Sequence, residues 1–184
     1  MTEPKKAANP LTSGAGILGA IGGWALSHYA GASLWLPAIS TGILLLIFTK
    51  SRFHPRYFGG AISVTGGHLV WFIAASAYLN NWTTVGPDIV LLTGASVWLW
   101  LRPGLAAAIG LGFVQLASLG INLIAILSVP VGSAPHRALT VHCVWRILAI
   151  ICVVAGYLRM RREQAAAAVP PVLPVSPVSP PPLC

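Results

Sequence analysis

One arginine constrains this chain more than any other residue. Ala138 to Arg162 is an apolar run of mostly Leu, Ile, Val and Ala, long enough for a helix to cross a bilayer, and it closes on Arg159, Arg161 and Arg162. Arg146 lies inside that run, with His142 one turn earlier on the same helical face. A guanidinium at that depth is costly in hydrocarbon, so it has to face protein, water or a counter-ion. The rest of the chain must then build a bundle around it.

The composition supports a membrane setting. Only 8% of the 184 residues are charged and 56% are hydrophobic, whereas a soluble domain carries roughly 25% charged residues. The net charge of +8 is spread between apolar runs, where basic residues set orientation. Nucleic acid is therefore not an expected partner. Cys143, Cys152 and Cys184 show no CxxC spacing, and no second pair completes a metal pattern with His142. No metal site is expected.

Six apolar segments follow in order: Gly14 to Tyr29, Leu34 to Thr49, Tyr57 to Asn80, a short one from Pro87 to Arg102, Gly104 to Ser128, and Ala138 to Arg162. The fourth, counted from Pro87, spans only about 22 Å. It has to borrow from Trp82 to Gly86 or cross thinned membrane. Small residues recur every four positions in three segments: Ala15, Gly19, Gly23, Ser27 and Gly31; Gly59, Ser63 and Gly67; Gly104, Ala108 and Gly112. Such stripes let helices approach closely, within one chain or in a homo-oligomer or membrane complex. The first segment also has a signal-peptide reading, with Lys5 and Lys6 ahead of it and Ala30-Gly31-Ala32 as a cleavage site, but its Gly content and His28 argue against that. Pro37-x-Ile with Arg52, and Pro87-x-Ile with Arg102, form a faint internal echo that shared topology signals explain.

Orientation follows from charge. With the amino terminus inside, every one of the 11 Lys and Arg residues is cytoplasmic except Arg137 and the intramembrane Arg146. The expected fold is an all-α membrane protein, a six-helix transmembrane bundle with both ends inside. Residues 1–13 form a cytoplasmic amino-terminal segment and 14–162 the transmembrane domain. Residues 163–184 form a Pro-rich cytoplasmic tail, whose run of prolines predicts an extended, disordered chain. The lipid bilayer is the expected environment, and the plain positive-inside pattern points to a multi-pass protein of a cell inner membrane.

The polar inventory inside the membrane is short: His28, His68, Gln115, Asn122, His142 and Arg146, with Asp88 at the outer edge. Asp88 is the only acid between Glu3 and Glu163, so it is the expected partner of Arg146. These residues define a polar centre expected from the third, fourth and sixth segments, with Gln115 and Asn122 on the fifth. Transport or permeation of a small solute or ion is the leading reading, with Arg146 drawing an anionic group and His68 and His142 passing protons. One alternative is a redox subunit holding haem b between His28 and His142, which lie at similar depth; His68 lies deeper and fits that plane poorly. Another is a non-catalytic assembly or scaffold protein. Enzymatic chemistry has little support. There is no paired carboxylate, Ser27-His28 is no triad, and Gly94-Ala95-Ser96 begins an intramembrane serine-protease motif only to meet Val97 where Gly is needed.

Overall fold

A computed structural model of the chain describes residues 35–50, 55–80 and 82–168. The described residues form five helices and no strand: α1 (Trp35–Lys50), α2 (Gly59–Leu79), α3 (Trp82–Leu101), α4 (Leu105–Leu127) and α5 (Ala134–Ala167). Four of them, α2 to α5, are long and apolar enough to cross a membrane. At 16 residues, α1 covers about 24 Å, short of a roughly 30 Å hydrocarbon core. The first apolar segment, with His28 and its small-residue stripe, lies outside the described residues, as does the run of prolines.

Local chemistry sets the ends. Pro37 sits in the first turn of α1, where its missing N–H has no intrahelical acceptor to lose. The end of α2 is Asn80, in the left-handed region at φ 50°, with its N–H donating to the Ser76 carbonyl. Asparagine tolerates that conformation better than most residues. The third helix does not begin at Pro87. It begins at Trp82 and carries Pro87 inside its second turn. A proline this close to a helix start removes few backbone bonds, so 20 residues propagate through it, about 30 Å in all. Pro37 and Pro87 thus occupy different helix positions, and the echo between them is not structural.

The last helix also outruns its expected bounds. Ser133 caps it, its hydroxyl accepting from the His136 N–H at 3.3 Å, and Pro135 follows within the first turn. Residues 134–137, expected in a loop, are therefore helical. At the other end α5 continues to Ala167, where an alanine run propagates the helix past Glu163. Its 34 residues measure about 51 Å, so it projects well beyond a hydrocarbon core.

Short connections at 80–81, 102–104 and 128–133 make α2 to α5 an antiparallel ring in which each helix packs on its chain neighbours and α2 closes on α5. Outside the ring, α1 packs chiefly on α2 and touches α3 through Phe48, whose ring meets Trp100 edge-on at 5.9 Å. One end of the ring, near 102–104, is tight. The buried residues of α3 are Leu92, Ser96 and Leu99, all in its second half. Leu92 and Leu99 share one core with Ala107, Ala108 and Leu111 of α4, Val153 of α5, and Phe58 and Ala61 at the start of α2. A Cβ added to Gly110 would lie 2.8 Å from the Trp98 ring. The opposite end, near 80–81, is looser.

Polarity runs inside out. Ser63, Thr65, His68, Ser76, Ser96, Gln115, Ser118 and Arg146 are buried, while Ile39, Ile43, Leu46, Val90, Ile109, Phe113, Ile124, Ile151 and Val154 are exposed. A chain in water would gain by reversing this arrangement. In a bilayer it is the stable one, because apolar side chains meet lipid and polar groups satisfy one another. The fold is compatible with a multi-pass membrane protein.

Candidate functional site

The diagonal helices of the ring, α2 with α4 and α3 with α5, do not approach closely through their backbones. Side chains bridge both diagonals at one level. Arg146 of α5 is 0% exposed and reaches Oδ2 of Asp88 on α3 at 2.5 Å. Its second terminal nitrogen donates to Oε1 of Gln115 on α4 at 3.1 Å. The Gln115 amide nitrogen donates on to the Thr65 hydroxyl of α2 at 3.2 Å. Ser118, one turn after Gln115, donates to the remaining Asp88 oxygen at 2.9 Å. Thr65, Gln115, Arg146, Asp88 and Ser118 thus make one chain through all four helices.

Spacing along each helix makes this possible. His142 and Arg146 are four apart on α5; Gln115, Ser118 and Asn122 follow a three-then-four spacing on α4; Thr65, His68 and Phe72 do the same on α2. Each triplet or pair turns one face to the ring axis. Because α5 starts at Ala134, Arg146 is roughly 18 Å along it, a turn deeper than a start at Ala138 implies.

The two histidines meet one turn from the arginine. His68 Nε2 and His142 Nδ1 are 2.9 Å apart, so one nitrogen carries the shared proton and the other accepts it. The greater depth expected for His68 does not separate them, because α2 and α5 run antiparallel and bring the two levels together. Phe72 stacks on His68 at 4.4 Å and on His142 at 5.0 Å, and Trp71 lies 4.4 Å from His142. The Arg146 guanidinium carbon is 5.8 Å from the Phe72 ring centre, within cation–π range. Trp145 Nε1 donates to the Val64 carbonyl at 3.0 Å and locks α5 against α2.

Beside this network is a cavity of about 710 Å³. Its polar lining is Asp88, Ser118, Asn122, His142 and Thr84. Its apolar rim includes Leu91, Phe113 and Ile121, all exposed on the flank between α3 and α4. Arg146, His68 and Gln115 do not line it. Arg146 is fully buried behind the Asp88 carboxylate, so its guanidinium does not line this cavity. The side chain of Asp88, 31% exposed, is the acidic group that lines the cavity. Asn122 lines the same cavity with no hydrogen-bond partner among the described residues.

Three sequence readings need correction or restriction. The centre draws on all four ring helices, because α4 supplies Gln115 as the bridge to α2. Thr65, Ser118, Phe72 and Trp145 belong to the centre and were not singled out from the sequence; the spacing of Ser118 between Gln115 and Asn122 was the available signal. The proposed haem pair cannot be placed, since His28 lies outside the described residues and His142 directs Nδ1 at His68. Among the described residues no three metal-ligating side chains cluster.

The bridging amide gives a direct check. Gln115→Met removes the acceptor for Arg146 and the donor to Thr65 while keeping an unbranched side chain of similar length. The expected loss is about 1–3 kcal/mol of unfolding free energy, because two buried polar groups lose partners. Chemical denaturation in detergent micelles measures it, and an unchanged midpoint would mean the amide is not part of the network. No protein family, curated protein or solved structure matches this chain.

Proposed function

We propose that this chain is a multi-pass inner-membrane protein with both ends cytoplasmic, whose six-helix bundle moves a small polar solute or ion through the centre built on Arg146 and Asp88. The observation that carries the reading is an ion pair and two histidines at the axis of the bundle, beside a cavity that opens on its flank. Intramembrane ionisable groups are expensive and are a functional-site signal by default, with an ion pair that fixes helix packing as the alternative reading. The charge distribution supports the orientation: the ends near 50–56, 102 and 159–162 hold the basic residues, and the opposite end holds Arg137.

The cavity reaches the centre from the outer half. Toward the inner half the axis is closed by Leu92, Leu99, Leu111 and Ala149, all 0% exposed. Among the described residues the polar centre is therefore reached by a flank cavity on one side and packed shut on the other, which is compatible with one state of an alternating-access cycle. His142 touches both the cavity and His68, so a proton taken up from the cavity has a next acceptor deeper in the protein.

The test is flux. The full chain is reconstituted in proteoliposomes, and internal pH and the uptake of labelled small solutes are followed under an imposed gradient. Asn122→Ala is the informative variant, since Asn122 lines the cavity and has no hydrogen-bond partner among the described residues. Its stability should stay within about 0.5 kcal/mol of the parent, and its transport KM should rise roughly tenfold for a lost cavity hydrogen bond. Flux no greater than in empty vesicles, for every solute and for protons, would sink the transport reading.

A further inference from the structure

A second site lies at the basic end of the bundle, away from the polar centre. A notch of about 180 Å³ is bounded by Leu45, Phe48 and Thr49 of α1, by Pro55, Arg56 and Tyr57 before α2, by Gly59 and Gly60 at its start, and by Arg159 of α5. We infer that this notch binds a phosphate group, and that the phosphate is the headgroup of an anionic phospholipid whose chains lie along α1.

Four observations converge on it. Two guanidinium side chains from distant parts of the chain, Arg56 and Arg159, border one small cavity. Neither is committed to a buried partner. Arg56 rests on the Tyr57 ring at 5.5 Å, and Arg159 engages Glu163 through Nε at 3.1 Å, with both side chains of that pair largely exposed. Their terminal nitrogens make no hydrogen bond among the described residues, and forked guanidinium donors match phosphate oxygens.

The floor of the notch is a helix start without a side-chain cap. Phe58 precedes α2 and offers none, so the N–H groups of its first turn have no side-chain acceptor. A Cβ built on Gly59 meets nothing within 4 Å, which leaves that backbone open to a ligand. The surroundings then select the source of the phosphate. Leu45 and Phe48 wall the notch on the α1 side, and Leu46 and Ile47 beside them are exposed apolar residues. A free phosphate has no use for that surface, whereas acyl chains cover it. Tyr57 stands where an interfacial aromatic belongs, and basic pockets between helices near the cytoplasmic face suit anionic headgroups. Since α1 packs on the ring chiefly through α2, a lipid bridging α1 and α5 would strengthen its hold on the ring.

The inference is independent of transport. Glu163 is the acid that faces Arg159, and it opposes binding without closing the site, because it takes only Nε. Native mass spectrometry of the full chain in mild detergent tests it, with dioleoyl phosphatidylglycerol, dioleoyl phosphatidylcholine and inorganic phosphate as separate probes. The variants are Arg56→Gln/Arg159→Gln and, as a charge-matched control, Arg161→Gln/Arg162→Gln, whose residues are exposed and do not border the notch. Phosphatidylglycerol should bind the parent and the control alike and bind the notch variant about 30-fold more weakly. Phosphatidylcholine should bind weakly throughout. Equal weakening in both double variants would reduce the effect to general charge and overturn the site. Inorganic phosphate binding as tightly as phosphatidylglycerol, with the same arginine dependence, would keep the phosphate site and overturn the lipid as its source.

Discussion

Arg146→Ala is expected to lower the unfolding free energy by about 3–5 kcal/mol, the largest loss of any single substitution in the bundle. The reason is what remains. Asp88 keeps the Ser118 hydroxyl but loses its counter-charge, and Gln115 loses the donor to Oε1. The carboxylate, 31% exposed on the cavity, is left without its counter-charge, and the void left by a guanidinium that was 0% exposed adds the cost of lost packing. The companion variant Arg146→Met/Asp88→Leu removes both charges together. It should recover most of the lost stability, since a buried pair contributes little net stability relative to apolar residues of similar volume. Flux should stay absent in both variants. Thermal unfolding in micelles, paired with the vesicle assay, separates the two effects. An Arg146→Ala protein that melts with the parent would show that no buried charge was left unpaired.

Gly67→Ala should shed α1 from the ring at a cost of about 1–3 kcal/mol. A Cβ at this position would overlap the Thr41 hydroxyl and lie 2.6 Å from the Pro37 carbonyl and 2.9 Å from the Thr41 backbone nitrogen. Two of those three atoms are backbone, so no rotamer change relieves them, and beyond α2 the ring holds α1 through the Phe48–Trp100 contact. Gly112→Ala is the matched control. It belongs to another stripe of small residues, and its added methyl meets nothing within 4 Å. In a helix that change is neutral or slightly stabilising. Cysteine cross-linking between the faces of α1 and α2, together with melting temperature, reads the outcome. Equal behaviour of the two variants would mean that the α1–α2 approach is looser than described.

The contrast between Gly67 and Gly112 shows why small-residue stripes are hard to read from a sequence. Gly59, Ser63 and Gly67 share a spacing, yet Gly67 alone sits under another helix backbone, Ser63 is buried, and a side chain at Gly59 would enter open space. Spacing says which residues share a face of a helix. It does not say which helix that face meets. Helix ends were legible where their chemistry is local, as at Lys50, Leu101 and Leu127. They were misjudged where one residue carries two signals. Pro87 resembles a helix start, but it is tolerated inside one because few backbone bonds precede it. Pro135 resembles a loop residue, but with Ser133 before it, it opens a helix.

The helical class of the fold and its chief partnership were legible from the residues alone. Long apolar runs with basic residues between them can satisfy their backbone in lipid only as helices, and a lone intramembrane arginine in a chain with one mid-chain acid leaves Asp88 as its counter-charge. Only the tertiary structure decided that Gln115 carries the arginine's second bond across to α2, that His68 and His142 share a proton, and that the carboxylate, rather than the guanidinium, lines the cavity. Those facts depend on which helices oppose one another across a ring and at what relative height. Hydrophobic pattern fixes the faces of each helix separately, and the heights are set by packing between helices, at contacts such as Gly67 on Pro37 and Trp145 on Val64.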